Sequence, residues 1–172
     1  FRRAVMARDR EDWKAAMQQF LTCLEYDPYR VEAWYRLAFI CSKFNETDEQ
    51  AIEYYLQVVE LAPDYGDVNT NLAYLYLKRD RKREAIQYLQ RAVDTNPYNL
   101  SLRLALAHAY FDLNLTRELR EEVVAILQRD PQNAWATDVW QTRFKQEQLE
   151  STNAVPRARK AIRPRAAAHP PR

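Results

Sequence analysis

The stretch AIEYYLQVVELAP, residues 51–63, returns one period later as AIQYLQRAVDTNP, residues 85–97. Both carry apolar residues twelve, eight and five places before the final proline: Ala51, Tyr55 and Val58, then Ala85, Leu89 and Ala92. Spacings of four and three put these residues on one face of a helix. The proline ends that helix, because it cannot continue one, yet it suits the approach to the next. Moving outward, Pro28, Pro63, Pro97 and Pro131 fall at intervals of 35, 34 and 34 residues. The same apolar positions are filled by Ala16, Phe20 and Cys23 before Pro28, and by Leu119, Val123 and Ile126 before Pro131. A fixed period of this size marks a repeat array, whose stacked units build extended surfaces for holding other molecules.

After each proline a second apolar stripe begins. Nine places on stand Leu37, Leu72, Leu106 and Trp140, and ten places on stand Ala38, Ala73, Ala107 and Gln141. Thirteen places on stand Cys41, Tyr76, Tyr110 and Phe144. Six places on, Trp34, Asn69, Arg103 and Thr137 share a position but no chemistry. Each period is therefore a pair of antiparallel helices, and the expected fold is an all-α solenoid.

These residues resemble the tetratricopeptide repeat family. Trp34, Leu37, Ala38, Ala51, Tyr55 and Pro63 carry the resemblance in one unit. Leu72, Ala73, Tyr76, Ala85, Ala92 and Pro97 carry it in the next, and it extends over about residues 1–146. It implies a right-handed solenoid that works as a protein-binding scaffold and not as an enzyme. The expected organisation is a partial unit 1–30, complete units 31–65, 66–99 and 100–133, a capping helix 134–149, and an extended tail 150–172. In the third complete unit Leu119 and Ile126 replace the usual small residues, which predicts looser packing. Only the stub FRRAVMA (1–7) stands for the first helix of the partial unit, as expected of a fragment, a processed product or a chain lacking its start. Gln141, Arg143, Gln146 and Gln148 are expected on the wet side of the cap.

Composition agrees with helices joined by tight turns: one glycine and 12% aromatic residues. No stretch is long and apolar enough to span a membrane. No secretory leader is in view in a sequence that begins inside a helix, so its absence decides nothing; the compartment is left open, with the cytoplasm expected ahead of a membrane-associated complex. Cys23 and Cys41 read as small core residues, and no Cys/His spacing suits a metal. Asn45, Asn99 and Asn114 head N-x-S/T tripeptides. Asn45 and Asn114, with Asp80, are better read as left-handed turn residues between the helices of a unit.

Function is expected on the face roughly 100° from the buried stripe of each first helix. In the resembled family that face lines a concave groove. Here it presents Tyr35 and Phe39; then Thr70, Tyr74 and Leu77; then Leu104, His108 and Phe111. Glu32 and Asp67 add an acidic edge. Exposed aromatic rows usually bind something, so the expected guest is an apolar helix or an extended peptide, with a basic group suited to the acidic edge. Some members of that family clamp the terminal carboxylate of a chaperone. Asn71 stands at a suitable place, but Tyr35, Phe39, Asp67, Ser101 and Ala105 cannot supply the cations, so this role is rejected. His108 has no catalytic company, and no nucleophile elbow, phosphate loop, metal cluster or cofactor motif occurs. The run RDRKRE (79–84) reads as a solvated basic turn.

The tail carries Arg157, Arg159, Lys160, Arg163, Arg165 and Arg172 against Glu150, while the body holds 20 basic and 23 acidic residues. Its Pro, Ala and Arg composition predicts disorder in isolation and ordering by a partner. Nucleic acid or anionic lipid bound through these cations is the alternative. Further alternatives are self-association through the array ends and a place as regulatory part of a larger enzyme.

Overall fold

The computed structural model describes residues 13–43 and 48–145. The stub 1–7, the turn residue Asn45, the cap residues Gln146 and Gln148, and the whole tail lie outside the described residues. Among the described residues eight helices follow one another: α1 Trp13–Tyr26, α2 Val31–Ser42, α3 Asp48–Leu61, α4 Val68–Lys78, α5 Lys82–Thr95, α6 Leu100–Asp112, α7 Thr116–Arg129 and α8 Ala134–Val139. The last runs on into a π-helical turn, Trp140–Phe144. Consecutive helices pack against one another along the chain, and no strand occurs among the described residues. The fold is an α-solenoid.

The apolar stripes are the core. Ala16, Ala51, Ala85 and Leu119 are buried, as are Phe20, Tyr55, Leu89 and Val123. Leu37, Leu72 and Leu106 with Ala38, Ala73 and Ala107 complete it from the first helices. The exceptions sit at the two ends. Cys23 in α1 is half-buried where its equivalents Val58, Ala92 and Ile126 are buried. Trp140 is half-buried and Gln141 exposed, because no following helix covers them among the described residues. Both cysteines are free.

One tie recurs in every complete unit. The residue six places after each proline reaches back to that proline's carbonyl. Trp34 Nε1 donates to Pro28 at 2.8 Å, Asn69 Nδ2 to Pro63 at 2.8 Å, and Arg103 Nε to Pro97 at 3.2 Å. A helix end leaves carbonyls unsatisfied, and these bonds supply a donor there while fixing the next helix's approach. The position is dissimilar in sequence because only the donor is required.

The turns within units follow the expected chemistry where they are described. Asp80 (φ 57°) and Asn114 (φ 54°) are left-handed. The following amides close the same turn, Arg81 N to Tyr76 O at 2.8 Å and Leu115 N to Tyr110 O at 2.9 Å. This is the six-to-one bond of a Schellman ending, which only a residue tolerant of positive φ allows. Asn99 is a helix cap instead, accepting from the Leu102 amide at 3.2 Å.

The basic run 79–84 is not merely solvated. Arg79 and Arg81 pair with Glu49 of the preceding unit at 2.8 and 3.5 Å. Lys82 pairs with Asp80 and with Asp112 of the following unit, both at 3.0 Å. One short turn thus bridges three units at their edge.

Burial raises the phenols of Tyr54, Tyr55, Tyr65, Tyr76, Tyr88 and Tyr110 above their ordinary range. An unfolded tyrosine ionises near pH 10. Above that pH the unfolded chain sheds protons that the folded chain keeps, so stability is intact below pH ~10 and falls as pH rises further. Thermal unfolding followed by circular dichroism should give a level Tm from neutral pH to about 9 and a steep fall above 10. A Tm that stays level to pH ~12 would contradict this.

Candidate functional site: the face of the first helices

The face expected to line a groove is built from α2, α4, α6 and the α8–π segment. Its residues divide into packed and open ones. Tyr35 is half-buried and committed to the structure. Its ring meets Tyr55 and Tyr65 edge-on, with centroids at 5.6 and 5.5 Å. Its hydroxyl accepts from Asn71 Nδ2 at 3.2 Å. Gly66, at φ +54°, sits beneath the ring, where an added Cβ would stand 3.7 Å away. Tyr35 is thus held as the floor of this face, and it occupies the Asn71 amide. Phe39 is half-buried, with Lys43 Nζ 4.5 Å above its ring.

Tyr74 is open, 45% exposed in the middle of α4. It borders a hollow of about 190 Å³ lined also by Ser42, Asn71, Leu75 and Lys78. Thr70 and Leu77 stand half-buried on the same helix. Lys78 holds Asp48 at 2.9 Å, a carboxylate only 2% exposed at the start of α3. The acidic edge survives in part. Asp67 is exposed at the α4 N-cap, whereas Glu32 is engaged by Arg36 at 3.3 Å.

On α6, Leu104 and Phe111 are half-buried against the core, and His108 is exposed. The His108 ring lies 4.0 Å from that of Trp135, and Phe111 meets the same indole at 6.1 Å. Arg143, expected on the wet side of the cap, instead folds over Phe111 at 4.1 Å. Trp135 was not expected on this face. A signal existed: it stands four places after Pro131, where Glu32, Asp67 and Ser101 stand in the other units. The far end of the face is thus an aromatic cluster spanning two units.

A second concavity opens between α5 and α7. It holds about 530 Å³ and is lined by Gln87, Gln90, Arg91, Asp94, Glu118, Glu121 and Glu122, with Leu106 and Tyr110 among its apolar side chains. It borders the unit in which Leu119 and Ile126 displace small residues. Those two side chains are fully buried and do not line the cleft. Among the described residues no group of three His, Cys, Asp or Glu side chains could hold a metal ion. No helix among them is long and apolar enough to cross a membrane.

Comparison with known proteins follows this geometry. Family models described as tetratricopeptide repeat match residues 31–65, 49–99 and 70–134. A crystal structure of MamA superposes with a TM-score of 0.65 at 22% identity, covering 77% of this chain and 72% of that one. YrrB, a TPR protein with an unusual peptide-binding site, gives 0.67 at 21% identity over 77% and 68%. MamA 41-end from Desulfovibrio magneticus RS-1 gives 0.64 at 15% identity over 77% and 75%. At these identities the likeness speaks for the fold alone. No curated protein sequence matches the chain.

Proposed function

The chain belongs to the tetratricopeptide repeat family, and from that premise we propose that it is a non-catalytic scaffold that holds a segment of a partner protein along its first-helix face. The observation that carries this reading is Tyr74. Its phenol ring is 45% exposed in the middle of the face, beside a hollow lined by Ser42, Asn71, Leu75 and Lys78. Beginning in the next unit, the His108–Trp135–Phe111 cluster offers a second anchor of the kind that dominates binding energy, aromatic and with few rotamers to freeze. The guest is an extended or helical peptide with one apolar side chain for each anchor and a basic group for Asp67. YrrB, a TPR protein with an unusual peptide-binding site, is an example of a peptide held on this fold. The tail cations Arg157, Arg159, Lys160, Arg163 and Arg165 add contacts to an acidic surface of the partner.

A peptide-display selection on the wild-type chain tests the face. Selected peptides should bind Tyr74→Ala at least about tenfold more weakly, the loss of one modest hot spot. They should bind Arg117→Ala on α7 unchanged, and unfolding of both variants should match wild type. Peptides that bind Tyr74→Ala as well as wild type would remove this face from the reading.

A further inference from the structure

The residue directly after the proline is tyrosine in two units, Tyr29 after Pro28 and Tyr98 after Pro97. Both rings stand out on the turns between units, 77% and 86% exposed. At Tyr98 the array seats a cation of its own. The Arg129 guanidinium lies over the ring, 5.0 Å from its centroid. The same guanidinium donates to the Pro97 carbonyl, which also accepts from Arg103 Nε at 3.2 Å. One arginine thus reads two features together, an aromatic face and the second lone pair of a turn carbonyl. It leaves the rest of the ring to water.

Arg129 comes from the end of that unit's second helix, two places before Pro131. Two places before Pro63, the first complete unit has Leu61, which brings neither charge nor donor. The turn at Pro28 otherwise has the same parts. Tyr29 supplies the ring, and the Pro28 carbonyl accepts from Trp34 Nε1 at 2.8 Å as Pro97 accepts from Arg103. Tyr26, 87% exposed, adds a second ring three residues away. The surroundings are acidic: Glu25 and Glu60 are exposed at the ends of α1 and α3. Arg30, the cation of this turn, holds Asp27 at 2.9 Å. The next turn lacks the ring, because Asp64 follows Pro63.

We propose that residues 26–30 form a seat for an arginine side chain of a partner protein, filled at Tyr29 from outside as Arg129 fills it at Tyr98 from within. The incoming guanidinium stacks on Tyr29 and donates to the open lone pair of the Pro28 carbonyl, in the negative field of Glu25 and Glu60. Arginine is favoured over lysine because a planar guanidinium can lie on a ring while its edge N–H groups donate sideways. The seat lies on the turn edge of the array, so it stands apart from the first-helix face and does not depend on Tyr74.

The test follows the tyrosine ring signals of the full chain by NMR while acetyl-Gly-Arg-Gly-amide or its lysine counterpart is added. The Tyr29 signals should move with the arginine peptide, and at least about threefold more of the lysine peptide should be needed for the same movement. Tyr98, beside a carbonyl already taken, should move less than Tyr29. Arg129→Leu, at an exposed position, should then give Tyr98 the response of Tyr29 while Tyr29 keeps its own. Tyr29 signals that stay still would overturn the proposal, as would equal responses to the two peptides. So would a Tyr98 that already matches Tyr29 in the wild-type chain, or one that stays silent in Arg129→Leu.

Discussion

Tyr55→Ala is expected to destabilise the folded chain by about 3–5 kcal/mol, the cost of removing a large ring from a packed interior. Urea unfolding followed by circular dichroism measures it. Tyr55 is fully buried, and its ring supports Tyr35 edge-on at 5.6 Å. Tyr35 in turn occupies Asn71, so the floor of the first-helix face rests on this ring. Tyr55→Phe should behave quite differently. The Tyr55 hydroxyl is buried without a hydrogen bond of good geometry, although Ser42 and Asn71 stand near it. Deleting an unpaired buried hydroxyl relieves its desolvation and keeps the ring, so stability should stay within about 1 kcal/mol of wild type or rise slightly. A loss above about 2 kcal/mol in Tyr55→Phe would mean that the hydroxyl is well bonded in solution and that the packing account is incomplete.

The second large effect is at Arg103. Its guanidinium bonds Glu122 at 2.8 Å and the Pro97 carbonyl at 3.2 Å, and the two side chains are 15% and 16% exposed. Arg103→Met removes both bonds. It leaves the Glu122 carboxylate beside Glu118 and Glu121 in the cleft between α5 and α7. The expected loss is about 2–4 kcal/mol, less than for a fully buried pair because water still reaches this one. Adding Glu122→Leu should restore most of the loss, since an apolar pair no longer strands a charge. If Arg103→Met costs less than about 0.5 kcal/mol, the pair is an ordinary surface contact.

Much of the array was legible because its physics is periodic. An interior helix must bury the same face in every unit, so Ala51 and Ala85, or Leu37 and Leu72, repeat in type as well as in place. Backbone demands are nearly as legible. A left-handed turn accepts few residues, and Asp80 and Asn114 are among them. Positions that need only a hydrogen-bond donor are not: Trp34, Asn69 and Arg103 do one job in three chemistries. The face of the first helices was half legible. Helical geometry named its residues, but periodicity cannot tell a ring that faces water from one packed against a neighbour. Tyr35 and Tyr74 lie on the same face of successive first helices and end in opposite environments, because Tyr55, Tyr65 and Gly66 surround only the first.

The sequence alone therefore determined the period, the helix pairing, the buried stripe and the turn chemistry, since each is a local rule applied again at every proline. Tertiary structure alone decided which aromatic side chains remain open, how the run 79–84 ties three units together, and where the stripe goes uncovered at Trp140. Those outcomes depend on which neighbours arrive in space, and a one-dimensional repeat carries no record of a neighbour beyond its own unit.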